Sequence, residues 1–571
     1  MKKIFSKKFV VTLTSVFAIG TGVILACAGD WEPDYGVSNF TPEAFVDSSY
    51  RPFFYAPDLY YYGIWHDTQH DTRFNEININ DWTSFLANAV PRAELEFMLL
   101  NASPGAIDSG QAYLLNKIKT LPASLQTFQL FSKRTNKKVQ AFIDYLSLAK
   151  KCEEFAVNNL EYEWDYESKK NKTVNVNTMK LDSDLLQTFN KTKDLFIKER
   201  YWFQLERSYF FNGFPQGTIN FFENNEKLFQ KNVLYYRTMA YAAGAYHQTK
   251  NYSKANYYYS KVYDGCAELK TVAHYSFHPQ EENDWKTTLA LCANNDEKAT
   301  LWQMLGIFYS DEKRAIQEIY TLNPRSEKLN LLLTRAVNIQ EQKLTTWDDN
   351  LKSNRLQFVK DSINNDVLLL VTRIAQAGNT GKPYLWQMAA GYLNMLNGNA
   401  DKAIAWYSLA EKNLPNEKLA QWQLRLLKLI NTIAGVTKVD SRLENKIVSD
   451  LEWLNGISNT EKQFRYTGAF DWIKHTIANR YMNQKEFIKA VCFNNYPDFY
   501  VNNSNVEAMK SFLNNPNKSP FEQLCAKLYI MTNNDLIEYQ AVRLAFEDNL
   551  EDAIAKMKTG ANECRASGQS F

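Results

Sequence analysis

The sequence predicts an all-α protein: helical hairpins stacked side by side behind an irregular, aromatic-rich N-terminal segment. Three observations carry that prediction. The stretch Tyr384–Pro415 contains two apolar-periodic helices separated by the polar turn Asn397-Gly398-Asn399-Ala400-Asp401, with Pro415 as the stop. Its spacing of small and aromatic residues recurs further along the chain. Finally, 571 residues are too many for one hydrophobic core, and the length prior gives roughly three to four domains. A repeat array removes that difficulty, because each unit buries its apolar face against its neighbours.

Within Tyr384–Pro415 the first helix has small residues at Ala389, Ala390 and Gly391, and the second has Ala403, Tyr407 and Ala410 on one face. Small residues let two backbones cross closely, while aromatics fill the volume beside the crossing. The second helix, as Ala403-x3-Tyr407 and then Pro415, resembles the second half of the tetratricopeptide signature. Trp302-x2-Leu305-Gly306-x2-Tyr309 resembles its first half at every specified position. Ala243, Tyr246 and Ala255 repeat the arrangement, as do Ala478, Tyr481 and Ala490, and Ala541, Leu544 and Ala553. Ala315 follows Gly306 by nine residues where Ala403 follows Gly391 by twelve, which predicts a shorter turn in that unit. The resemblance implies an irregular tetratricopeptide-like solenoid over residues 226–571, the alternative being a closed helical bundle.

Three regions precede it in chain order. Residues 1–26 begin with Lys2, Lys3, Lys7 and Lys8 and continue as an apolar run, the parts of a secretory signal. Ile24-Leu25-Ala26-Cys27 resembles a bacterial lipobox, which implies acyl chains on Cys27; at about 0.8 kcal/mol per buried CH₂, several such chains make a firm bilayer anchor. An uncleaved signal anchor is the alternative. Ala28 stands where an Asp would resemble an inner-membrane retention signal, so the outer membrane is implied, periplasmic or cell-surface side open. Asp30, Glu32 and Asp34 weakly resemble the surface-export signal of Bacteroidota lipoproteins.

Residues 27–109 are irregular and rich in aromatics from Trp31 to Trp65, too many for a disordered tether. This segment is expected to lie against the first helices, with short helices at Ile79–Ala89, capped by Asp81, and at Arg92–Leu100. Residues 110–225 are expected to be helical, with Asp182 capping one long helix towards Phe211.

The charge balance excludes one class of partner. Without the four leader lysines, 61 basic residues face 63 acidic ones, and no basic run interleaves with aromatics, so no nucleic acid is expected. His66 and His70 would share a helical face suited to Zn²⁺, with Asp71 as a third ligand. No Glu follows His66 as in H-E-x-x-H, and the bland reading is loop histidines without metal. His274 and His278 read as packing and loop residues. Gly378-Asn379-Thr380-Gly381-Lys382 fails as a phosphate loop, since Pro383 follows the lysine. Cys266 and Cys292 are the one cysteine pair close enough in sequence to suggest a bridge; the remaining cysteines read as small buried hydrophobes.

No catalytic motif is present, so the expectation is a non-enzymatic scaffold with no cofactor, its groove open to a protein or peptide. Gln303, Gln387 and Asn394 are the outward groove candidates. The alternative is a glycan-capture lipoprotein resembling the starch-utilisation D class, supported by the wealth of aromatics. A metal-dependent hydrolase using His66 and His70 is the third reading.

Overall fold

A computed structural model describes residues 38–54, 72–158, 178–342, 363–457, 464–494 and 496–567. Among these residues every regular element is a helix and none is a strand. The longer helices, in order, are α1 (Asn75–Phe85), α2 (Arg92–Glu96), α3 (Pro104–Leu114), α4 (Lys137–Asn158), α5 (Thr178–Lys191), α6 (Leu195–Phe211), α7 (Pro215–Asn225), α8 (Val233–Gln248), α9 (Tyr252–Gly265), α10 (Lys270–Tyr275), α11 (Glu282–Ala290), α12 (Asn295–Phe308) and α13 (Glu312–Leu322). They continue as α14 (Lys328–Gln342), α15 (Asn365–Ala377), α16 (Pro383–Leu396), α17 (Ala400–Lys412), α18 (Lys418–Ala434), α19 (Ser441–Gly456), α20 (Thr467–Gln484), α21 (Phe487–Phe493), α22 (Asn503–Asn514), α23 (Pro520–Leu528), α24 (Asn533–Phe546) and α25 (Leu550–Ser567). Short 3₁₀ turns fill several connections.

Packing divides the chain into two compact units. One comprises Met1–Phe45, Val337–Gln376 and Pro383–Phe571; the other comprises Val46–Ala336 and Ala377–Lys382. In each, helices adjacent in sequence pack as hairpins: α8 on α9 and α12 on α13 in the second unit, α16 on α17, α20 on α21 and α24 on α25 in the first. The architecture is therefore an all-α, helical-hairpin solenoid type.

Those five hairpins share one turn. In each, a single residue takes the left-handed conformation: Lys250, Ser310, Gly398, Lys485 and Asp548, with φ between 52° and 78°. The following residue donates its N–H to the carbonyl five positions back, at 2.9 Å in all five cases: Asn251 to Tyr246, Asp311 to Gly306, Asn399 to Asn394, Glu486 to Tyr481 and Asn549 to Leu544. This closure satisfies a carbonyl that the helix end would leave unpaired. Five residues after the left-handed one stands a buried alanine: Ala255, Ala315, Ala403, Ala490 or Ala553. The fixed turn delivers that small side chain to the same place against the first helix each time.

The turn expected to be short around Ala315 is thus the same turn as the others. What differs is the glycine. Gly306 lies one helical turn nearer the bend than Gly391, and a Cβ on it would come within 2.5 Å of the Ala315 Cβ. A Cβ on Gly391 would instead meet the Tyr407 ring at 2.5 Å. Both glycines permit the close crossing, at different heights along the hairpin.

Local expectations need three further corrections. Asp81 is inside α1 rather than at its cap, and its carboxylate accepts from Arg200 at 2.9 Å. Asp182 is likewise interior, to α5, accepting from Ser208 at 2.5 Å and Asn212 at 3.0 Å. The long helix it was expected to start is two helices, because Asp194 caps a new one by accepting from the Ile197 N–H. An Asp side chain that can reach a neighbouring helix does not need a local backbone donor. Cys266 and Cys292 are free thiols: Cys266 donates to the Glu268 carboxylate at 3.3 Å and Cys292 to the Thr288 carbonyl.

Candidate functional site

The irregular segment 27–109 is expected to lie against the first helices, and Trp82 does, against Phe142 and Phe196, but Ser38–Phe45 does not. Instead it is held within the unit formed by residues from Val337 onward, in contact with Asn338, Glu341, Tyr392, Gln423 and Arg465. A helix has no free backbone groups along its sides to offer an irregular segment, so side chains must do the pairing. Here they do so.

Gln423, on α18 and fully buried, reads the backbone on both sides of Phe40. Its Oε1 accepts from the Thr41 N–H at 2.9 Å and its Nε2 donates to the Asn39 carbonyl at 2.6 Å. Glu341, at the end of α14, takes the next groups. Its Oε1 accepts from the Asn39 N–H at 2.7 Å and from the Tyr392 hydroxyl at 2.8 Å, while its Oε2 accepts from Ser38 Oγ at 2.6 Å. Tyr392 in turn accepts from Asn39 Nδ2 at 3.0 Å. The Asn338 amide also meets Ser38 Oγ.

Apolar contacts complete the grip. The Phe40 ring is fully buried and stacks on Tyr392 at 6.2 Å with planes 12° apart. Phe45 leans on Tyr384 at 6.3 Å. Glu43 pairs with Arg465, and the Thr41 hydroxyl donates to the Arg465 carbonyl at 3.3 Å. Burial pushes the Glu341 carboxyl up to about 7, against the hydrogen bonds from Ser38, Asn39 and Tyr392 that favour its charged form. The result is a clamp: one amide, one carboxylate and one phenol from three helices holding the backbone at Asn39 and Thr41 and the side chains of Ser38 and Asn39, with a pocket for the Phe40 ring.

The residues expected to face a groove are buried and satisfied internally. Gln303 donates to the Lys328 carbonyl at 3.0 Å and accepts from the Tyr263 hydroxyl at 3.2 Å. Gln387 accepts from Asn413 at 3.1 Å, and Asn394 donates to the Ala390 carbonyl one turn back at 2.7 Å. They are not outward positions. His66, His70, Asp71 and Cys27 lie outside the described residues. Among the described residues no three His, Cys, Asp or Glu side chains converge as a metal site. His274 is buried between Phe53 and Tyr263, and burial together with Arg335 pushes it down to about 3, so it packs as a neutral ring.

Glu341, Tyr392, Gln423 and Arg465 were not singled out from the sequence. One signal could have found Gln423. It shares a helical stripe with Ala420, Leu424, Leu427 and Ile430, and an amide on an apolar stripe needs a buried partner.

No protein-family model, curated protein or solved structure matches this chain.

Proposed function

We propose that this chain is a helical-repeat scaffold that binds a short segment of a protein or peptide partner, held at the outer membrane by lipid on Cys27. The observation that carries the binding half is the clamp around Phe40. Gln423 and one oxygen of Glu341 meet main-chain N–H and C=O, which every peptide presents, while the Phe40 pocket and the side-chain contacts to Ser38 and Asn39 supply selectivity. Segment Ser38–Phe45 is then a ligand held in cis. The anchoring half is supported by the leader and by Cys27 at its end. No helix among the described residues is long and apolar enough to cross a membrane.

The test uses the full chain carrying Phe40→Ala, which empties the aromatic pocket and loosens the cis segment. A fluorescent peptide of sequence Ser-Asn-Phe-Thr-Pro-Glu-Ala-Phe should bind it saturably. Adding Gln423→Leu should abolish that binding. A peptide that binds equally well with and without Gln423 removes the clamp from the reading. Metabolic labelling with a fatty acid, lost on Cys27→Ala, tests the anchor separately.

A further inference from the structure

A second cleft, in the other unit, has a different chemistry. It is a cavity of about 510 Å³, within the range of small-molecule sites. The turn Glu226–Leu228 and Phe229 form one side, the first half of α8 a second, and the middle of α9 a third. Tyrosines make most of its apolar wall. Tyr236 stands edge-on to Tyr235 at 5.4 Å, and Tyr257 lies 6.0 Å from Tyr258. Tyr236 is seated over Gly265, where a Cβ would come within 2.2 Å of its ring. Phe229 is fixed by stacking on Trp202 at 4.7 Å. These rings are anchored before any ligand arrives, which lowers the ordering cost of binding.

The polar groups divide into engaged and unengaged sets. Glu226 accepts from the Tyr235 hydroxyl at 3.1 Å, and Lys261 with the Tyr257 hydroxyl holds Glu297. Lys227 and Lys231 are exposed at the rim, and neither has an ion pair among the described residues. With Glu297 answering Lys261, and Glu226 set against the two rim lysines, the cleft keeps a net positive charge. Flat anchored rings beside unpaired cations suit a ligand with a flat face and an acidic group.

We propose that the α8–α9 cleft binds a small anionic ring compound, its acid group at Lys227 and Lys231 and its flat face against Tyr236 and Tyr258. This is independent of the clamp. Sugar acids and aromatic acids share that chemistry, and the test separates them.

Calorimetric titration of the full chain with trigalacturonate, with 4-hydroxybenzoate and with neutral maltotriose is the experiment. One of the two acids should bind saturably and maltotriose should not; the acid that binds names the source. Lys231→Gln should weaken that binding about threefold, the scale of one exposed ion pair. Tyr236→Leu should weaken it about tenfold, the scale of an aromatic face. Lys231 is exposed, so its variant tests the site without disturbing the fold. Failure of both acids to bind overturns the proposal, as does binding that neither variant changes. Maltotriose binding as tightly as either acid overturns it too.

Discussion

Replacing Gln423 with leucine isolates the clamp, because the two side chains have similar volume and only the amide is lost. The substitution leaves the Thr41 N–H and the Asn39 carbonyl without partners where both residues are buried. Each such group costs about 1–3 kcal/mol, so the held segment should loosen by roughly 4 kcal/mol, near a thousandfold in its opening equilibrium. With two compact units, a single unfolding midpoint is a poor readout, and amide hydrogen exchange at residues 38–45 reports the effect directly. Gln421 is the control. It lies on the same helix but is exposed, donating to Asn416 at 3.1 Å, and Gln421→Leu should stay within about 0.5 kcal/mol. The reasoning is refuted if Gln423→Leu changes exchange at Thr41 and Asn39 no more than Gln421→Leu does.

The remaining predictions follow from crossings, charges and turns. Gly391→Ala and Gly306→Ala should each cost about 1–3 kcal/mol by overpacking, whereas Gly105→Ala, with nothing within 4 Å of its Cβ, should be neutral or stabilise by up to about 1 kcal/mol; hydrogen exchange at the helix carrying each variant decides. Because burial raises the Glu341 carboxyl from 4.5 to about 7, the folded state holds that proton more tightly than the unfolded chain. Stability is then full below about pH 4.5 and falls by about 3 kcal/mol as pH rises through 7, and Glu341→Gln should flatten the pH dependence of exchange at residues 38–45. His274 has the opposite sign. Its folded value is about 3 against an ordinary 6.5, so its contribution is full above pH 6.5 and is lost as pH falls towards 3; His274→Phe should reduce acid sensitivity in exchange at α10. At the shared turn, Lys485→Gly should be tolerated or stabilise slightly, since φ 62° strains any side chain, while Gly398→Val should destabilise by more than about 1 kcal/mol.

The hairpins were legible and the clamp was not, for the same physical reason. A hairpin repeats a local rule: a left-handed residue, then an alanine five positions on, as at Lys250 and Ala255 or Asp548 and Ala553. Rules of that kind leave a period in the sequence even where the repeats are unequally spaced. The clamp joins Asn39 to Gln423 and Glu341 across some three hundred residues or more, and Gln423's partners on the segment are main-chain atoms, which no sequence records. Polarity then misleads. Gln303, Gln387 and Asn394 suggest a wet surface because amides are usually exposed, yet each is buried and hydrogen-bonded. Asn394 bonds within its own helix, but Gln303, Gln387 and Gln423 each mark where one element is fastened to another. The same rule that makes Gln423 a clamp makes Gln303 a structural tie, and only the partner distinguishes them: a neighbouring helix end for Gln303, the Ser38–Phe45 segment for Gln423. Gln303→Leu should therefore loosen the junction of α12 with the start of α14 and leave hydrogen exchange at residues 38–45 unchanged. If exchange there rises as it does for Gln423→Leu, the two amides are not separable and the clamp is part of a general core.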